Sequence, residues 1–159
     1  VTLDARVRGL ETLETPRFSG ARVHNSAAIN LPTATDVDLT FDGEDYDTDD
    51  YHDLLTNPDR LTVPISGWYS IAACVAFSAN SSGFRQVSIR VNGGSAIVVA
   101  RISPYASAET IIPVFTQYAL TAGDYVTLRV YQNSGSTLTA AVFNATPVLA
   151  ISLIGETFS

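Results

Sequence analysis

From Leu61 onward, apolar and polar residues alternate in short runs separated by turn-forming residues. Residues 68–78 make the longest run. Tyr69, Ile71, Ala73, Val75 and Phe77 form a bulky apolar face, and Trp68, Ser70, Ala72, Cys74, Ala76 and Ser78 form a mostly small one. Alternation with period two marks a β-strand, and a strand this apolar on both faces is expected to be covered on both sides. Val87, Ile89 and Val91 alternate with Ser88, Arg90 and Asn92, and Asn92-Gly93-Gly94 signals a hairpin. Residues 97–102, 110–120, 126–131, 138–143 and 148–153 read as further strands. Upstream, residues 17–24, 27–31 and 37–41 read as shorter ones. About ten short strands at regular spacing, with no helical period, predict an all-β antiparallel sandwich or barrel for residues 17–159.

Residues 1–16 have a different rhythm. Leu3, Val7 and Leu10 are spaced four and then three, with Glu14 at the next seam position, and Pro16 ends the run. That is coiled-coil spacing, too short to stand alone. It is read as the remnant of an oligomeric stalk. Methionine is absent from the whole chain, position 1 included, so the chain is expected to begin inside a longer, fibre-like parent chain.

Charge narrows the partners. Nine arginines and no lysine stand against sixteen acids, a net charge of −7, which disfavours nucleic acid and anionic membrane surfaces. Ten of the acids fall between Asp36 and Asp59, so residues 42–59 are expected to form a mostly exposed acidic loop. Asp45-x-Asp47-x-Asp49 matches the opening of an EF-hand loop, but Asp50 stands where that loop needs Gly and Thr56 where it needs Glu. Two readings stay open. Asp42, Glu44, Asp45, Asp47, Asp49 and Asp50 could hold calcium in a looser oxygen cluster, or they form a surface that is solvated or paired with arginines such as Arg60 or Arg85. No other cofactor is called for.

Catalytic chemistry has no foothold. There is no Gly-x-Ser-x-Gly elbow and no phosphate-binding loop. Cys74 lies in an apolar run and reads as a small buried hydrophobe. His24 and His52 are too few for zinc.

The order Pro64-x-x-Gly67-x-Tyr69, then Val91-Asn92-Gly93, then Leu120-x-x-Gly123-Asp124-x-Val126-x-Leu128 is similar to the globular heads of the complement C-one-q and tumour necrosis factor superfamily. The likeness spans about residues 17–155. The stretch from Tyr46 to Tyr69 resembles the bacterial and bacteriophage branch. Leu149-Ala150-Ile151 and Gly155 depart from the family's C-terminal aromatic-Gly pattern. The resemblance implies a ten-stranded jelly roll assembling as a homotrimer. It places Tyr69 in the inner sheet, with Ile71, Val75 and Phe77 either filling the core or meeting partner subunits. It further implies a non-enzymatic tip of a phage fibre or virion appendage at the virion or extracellular surface, without membrane insertion. Such a tip would bind a cell-surface glycan or protein, with Tyr46, Tyr51 and Tyr105 as candidate contacts because aromatic rings suit sugar C–H faces. A trimerisation or capsid-decoration module without a receptor, and a bacterial surface adhesin, are the alternatives.

Overall fold

A computed structural model describes residues 17–142 and 147–156. The coiled-coil spacing of residues 1–16 lies outside them. Among the described residues there are twelve strands and no helix, all paired antiparallel in two sheets. The fold is a jelly-roll sandwich.

The first sheet is built around β6 (Gly67–Phe77), the eleven-residue strand whose two-faced pattern stands out in the sequence. Along one side β6 pairs over its whole length with β9 (Thr110–Leu120), from Gly67 opposite Leu120 to Phe77 opposite Thr110. Along the other side run β12 (Val148–Glu156) and the tip of β11 (Leu138–Ala140). The sheet continues from β12 to β1 (Gly20–His24) and β4 (Gly43–Asp47), and from β11 to β2 (Ile29–Leu31). In the second sheet β10 (Tyr125–Gln132) pairs with β7 (Arg85–Val91), and β7 with β8 (Ala96–Ile102). The other edge of β10 takes β3 (Val37–Asp38) and β5 (Arg60–Thr62).

Period-two alternation sends one set of side chains from each sheet into the space between them. Tyr69, Ile71, Val75 and Phe77 point inward from the first sheet and meet Val87, Ile89, Val126, Leu128 and Leu61 from the second. These four are therefore core residues, and the opposite, smaller face of β6 points outward. Each fully buried large side chain contributes about 1.5–3 kcal/mol. The Tyr69 hydroxyl donates to the Ile65 carbonyl at 2.6 Å. Burial first, and the neighbouring Tyr51 hydroxyl second, push its phenol well above the ordinary range.

Two turns obey their residues. Asn92 and Gly93 both adopt positive φ, 51° and 67°, as the tight hairpin between β7 and β8 requires. At Gly67 the reason is contact: a β-carbon there would come within 2.5 Å of the Gly155 carbonyl oxygen. The tight approach of β12 at its bulge, and not a turn, excludes a side chain.

One segment departs from the sequence reading. Gly43–Asp47, expected as exposed loop, is a strand at the edge of the first sheet. Its acidic residues are tolerated because an edge strand meets solvent, and because β1 sets Arg22 opposite Tyr46 and His24 opposite Gly43.

Arg85 is fully buried at the start of β7. Its guanidinium donates to the carbonyls of Asn80 at 2.8 Å, Ser82 at 2.9 Å and Phe84 at 3.1 Å, gathering the loop between β6 and β7. No carboxylate among the described residues pairs with it, and burial lowers its pKa.

Candidate functional site

The outward face of the first sheet is apolar over β9 and β6. Phe115, Trp68 and Ile111 are 80%, 51% and 43% exposed. The register sets Phe115 beside Ala72, Pro113 beside Cys74 and Ile111 beside Ala76. On the far side of β6, Ala150 lies opposite Ala72 and Val148 opposite Cys74. Small residues on β6 and β12 make the floor, and the β9 side chains rise from one rim. Cys74 is half-buried on this floor, not in the core, and burial pushes its thiol up. Pro113 lacks an N–H, which an edge strand such as β9 accommodates.

Toward β1 and β4 the same sheet turns polar. Arg22 pairs with Asp45, whose other oxygen lies 3.2 Å from His24 Nδ1. Phe18 and Tyr46 meet edge to face, with ring centroids 5.5 Å apart.

Five of the six acids singled out for calcium are distributed among separate protein partners. Asp42 accepts from Ser26, from the backbone N–H at 2.8 Å and the hydroxyl at 2.6 Å. Glu44 lies 3.0 Å from His52 Nδ1. Asp45 serves Arg22. Asp47 accepts the backbone N–H groups of Asp49, Tyr51 and His52, fixing the turn after β4. Asp49 pairs with Arg17 and accepts from the Ser19 and Thr48 hydroxyls. Asp50 occupies a left-handed turn position, φ 58°. Among the described residues no three acids, histidines or cysteines converge into a group able to hold a metal ion. Arg60 serves the end of this segment, pairing with Asp59 and lying over the Tyr125 ring, whereas Arg85 is buried away from it. With the carboxylates so apportioned, the melting temperature is expected to be the same in millimolar calcium and in chelator. A rise of several degrees with calcium would require a site formed elsewhere.

The Ser26 side-chain and backbone bonds hold the Asp42 carboxyl below the ordinary carboxylate range. A depressed carboxylate contributes stability above its unfolded pKa of about 3.9, and that contribution disappears as pH falls through the folded value. Ser26→Ala is expected to move the Asp42 titration upward toward the ordinary value, read by carboxyl NMR.

The three tyrosines proposed as contacts are not brought together. Tyr51 is 1% exposed, its hydroxyl 2.7 Å from Ser19 Oγ and its ring edge-on to Tyr69. It is a core residue, not a surface contact. Tyr46 is 39% exposed on β4, at the sheet edge away from β9, and Tyr105 is 70% exposed in the loop leading into β9. A shallow groove of about 440 Å³ opens beside Asn25, Ile29, Thr40, Asp42, Leu54 and Pro58. Its carboxylate is already engaged by Ser26.

Neither histidine stands beside a nucleophile. His52 is buried between Glu44 and the Pro58 carbonyl, and His24 belongs to the Arg22–Asp45 pair.

No protein-family model matches the chain. An uncharacterised protein of Acanthamoeba polyphaga mimivirus is 30% identical over 90 residues, covering 54% of this chain and 38% of that protein. The chain thus spans well under half the length of the curated relative it matches. Among solved structures, Eiger TNF from S. frugiperda superposes with a TM-score of 0.63, over 91% of this chain and 97% of that one, at 14% identity. Murine APRIL superposes with a TM-score of 0.64, over 87% of this chain and 100% of that one, also at 14% identity. At such identities the likeness is one of fold: the chain has a tumour necrosis factor-like jelly roll.

Proposed function

We propose that this domain is a non-enzymatic head that assembles as a homotrimer through the outward face of its first sheet. It stands on a virion or extracellular appendage and binds a cell-surface glycan or protein. The observation that carries the reading is the apolar face of β9 and β6. Phe115, Trp68 and Ile111 stand exposed over a floor of Ala72, Cys74 and Ala150, and contiguous exposed apolar surface of this kind marks an interaction site.

A threefold ring fits the arrangement of that sheet. Its β9 side is apolar, while its β1–β4 side carries Phe18, Tyr46, Arg22, His24 and Asp45. Two unlike patches on one face suit heterologous contacts, which close into a cyclic ring. The tumour necrosis factor-like fold supports the trimer, and the mimivirus relative supports the virion setting. A recognition role agrees with His52 held between Glu44 and the Pro58 carbonyl.

Sedimentation at micromolar concentration should give about three times the 17.0 kDa chain mass; a clean monomer would sink the reading. Binding of the labelled trimer to candidate host cells supports the receptor function. Binding confined to empty capsids would instead make it a decoration module.

A further inference from the structure

Seven arginines lie among the described residues. Arg17, Arg22, Arg60 and Arg129 pair with Asp49, Asp45, Asp59 and Asp38, and Arg85 is buried against backbone carbonyls. Arg90 and Arg101 remain, each without a carboxylate partner among the described residues. Both stand on the outer face of the second sheet, on β7 and β8. In a chain of net charge −7, two uncompensated arginines on one face are a departure that local charge balance does not explain.

Each is held in place by neutral oxygen. Arg101 donates from Nε at 2.9 Å and Nη2 at 2.6 Å to Gln86 Oε1. Its guanidinium carbon lies 4.3 Å from the centroid of the Phe84 ring, which in turn stacks on Tyr131 with centroids 5.5 Å apart. Arg90 donates from Nε to the Gly94 carbonyl at 2.6 Å. In both, the Nε side is engaged, on Arg101 through Nη2 as well, which leaves the Nη1–Nη2 edge open on Arg90 and its Nη1 half open on Arg101 among the described residues. That edge is the fork that grips a carboxylate through two parallel hydrogen bonds. Tethering and stacking have already removed much of the side-chain freedom that binding would otherwise cost. Arg101 lies opposite Gln86 in the register, four positions before Arg90, so the two residues are about 13 Å apart along the strand direction, and their heads lean apart, toward Phe84 and toward Gly94.

We infer that the outer face of β7 and β8 binds an extended, carboxylate-bearing polysaccharide, one carboxylate on each arginine fork. This deepens the proposed glycan-binding role and rests on it. An open sheet face suits an extended chain, and the half-buried Tyr131 ring beside Arg101 offers a surface for sugar C–H groups. A carboxylate is planar and fits each fork through two parallel hydrogen bonds. The face lies on the side of the sandwich opposite the proposed assembly surface. Three copies therefore remain open in the trimer and bind one polymer with avidity.

The test uses the assembled protein on immobilised polygalacturonate, fully methyl-esterified polygalacturonate and polyglutamate. The expected result is binding to polygalacturonate that weakens with salt and is absent from the methyl ester. Arg90→Gln and Arg101→Gln should each weaken it by about tenfold, and the double variant should abolish it. Arg101→Lys, which keeps the charge but not the fork, should weaken it by a similar factor. Arg17→Gln, which removes the same charge elsewhere, should leave it unchanged. All variants should melt like the parent, because both side chains are at the surface. Equal binding to the methyl ester, equal binding to polyglutamate, no binding at all, or binding that survives the double variant would each overturn the inference. If the protein sediments as a trimer and still ignores the polymer, this inference falls alone; if it is a monomer, the assembly reading beneath it falls.

Discussion

Phe115→Glu is expected to convert the proposed trimer into a folded monomer of 17.0 kDa. Phe115 is the most exposed aromatic side chain on the outward sheet face, and it sits mid-strand beside Ala72. In a trimer each ring is buried against a neighbour, so the substitution puts three carboxylates into desolvated sites. An unpaired buried charge costs several kcal/mol, enough to shift a micromolar association by more than a thousandfold. In the monomer the same side chain is in water, so far-UV circular dichroism should be unchanged. Cys74 gives an independent readout. Its thiol lies on the floor of the proposed interface, so a thiol reagent should label it slowly in the parent and faster in the variant. A variant that keeps the trimer mass would place the interface elsewhere.

Arg85→Ala should destabilise the domain by about 3 kcal/mol. The loss combines a cavity at the head of β7 with three carbonyls, of Asn80, Ser82 and Phe84, that lose their donor. Arg85→Lys restores charge but not the planar fork that reaches all three, and should recover only part of the loss. Chemical denaturation of the three proteins checks the ranking. Equal stability for parent and Ala variant would show that water replaces the guanidinium without cost.

Much of the framework is legible as alternation. The pattern of β6, the Asn92-Gly93 hairpin and the spacing of the last strands need only local chemistry to be read. Which face of β6 turns inward is not local. Bulky and small faces are both apolar, and the choice is made by the second sheet, whose Val87, Ile89 and Leu128 meet the bulky side. The acidic segment shows the complementary difficulty. Gly43–Asp47 has poor intrinsic strand propensity, and it pairs because β1 presents a long antiparallel edge carrying Arg22. Tyr51 looks like a surface aromatic among carboxylates, yet it is enclosed once the sandwich closes, with Ser19 supplying a partner for its hydroxyl. Arg85 could not be told from the surface arginines by its neighbours in the chain. Arg90 carried a readable signal: it alternates with Ile89 and Val91, which already turns it outward.

The placement of β1 sets how fast the chain can acquire its native form. β1 pairs with β12, so Gly20 faces Ser152 and His24 faces Val148, across nearly the full described length. β12 is also what joins β6 to β1 within the first sheet. Neither seam can form on a ribosome until the last strand has emerged, and closing so long a loop must precede the contacts that reward it. Topologies dominated by such distant pairings fold in milliseconds to seconds, the slow end for small domains. During that interval β6 and β9 can form their own long hairpin-like pair while their bulky faces lack a cover. Dilution from denaturant should therefore give slow refolding whose yield falls as protein concentration rises, since the exposed intermediate meets other chains before it meets its own C-terminus.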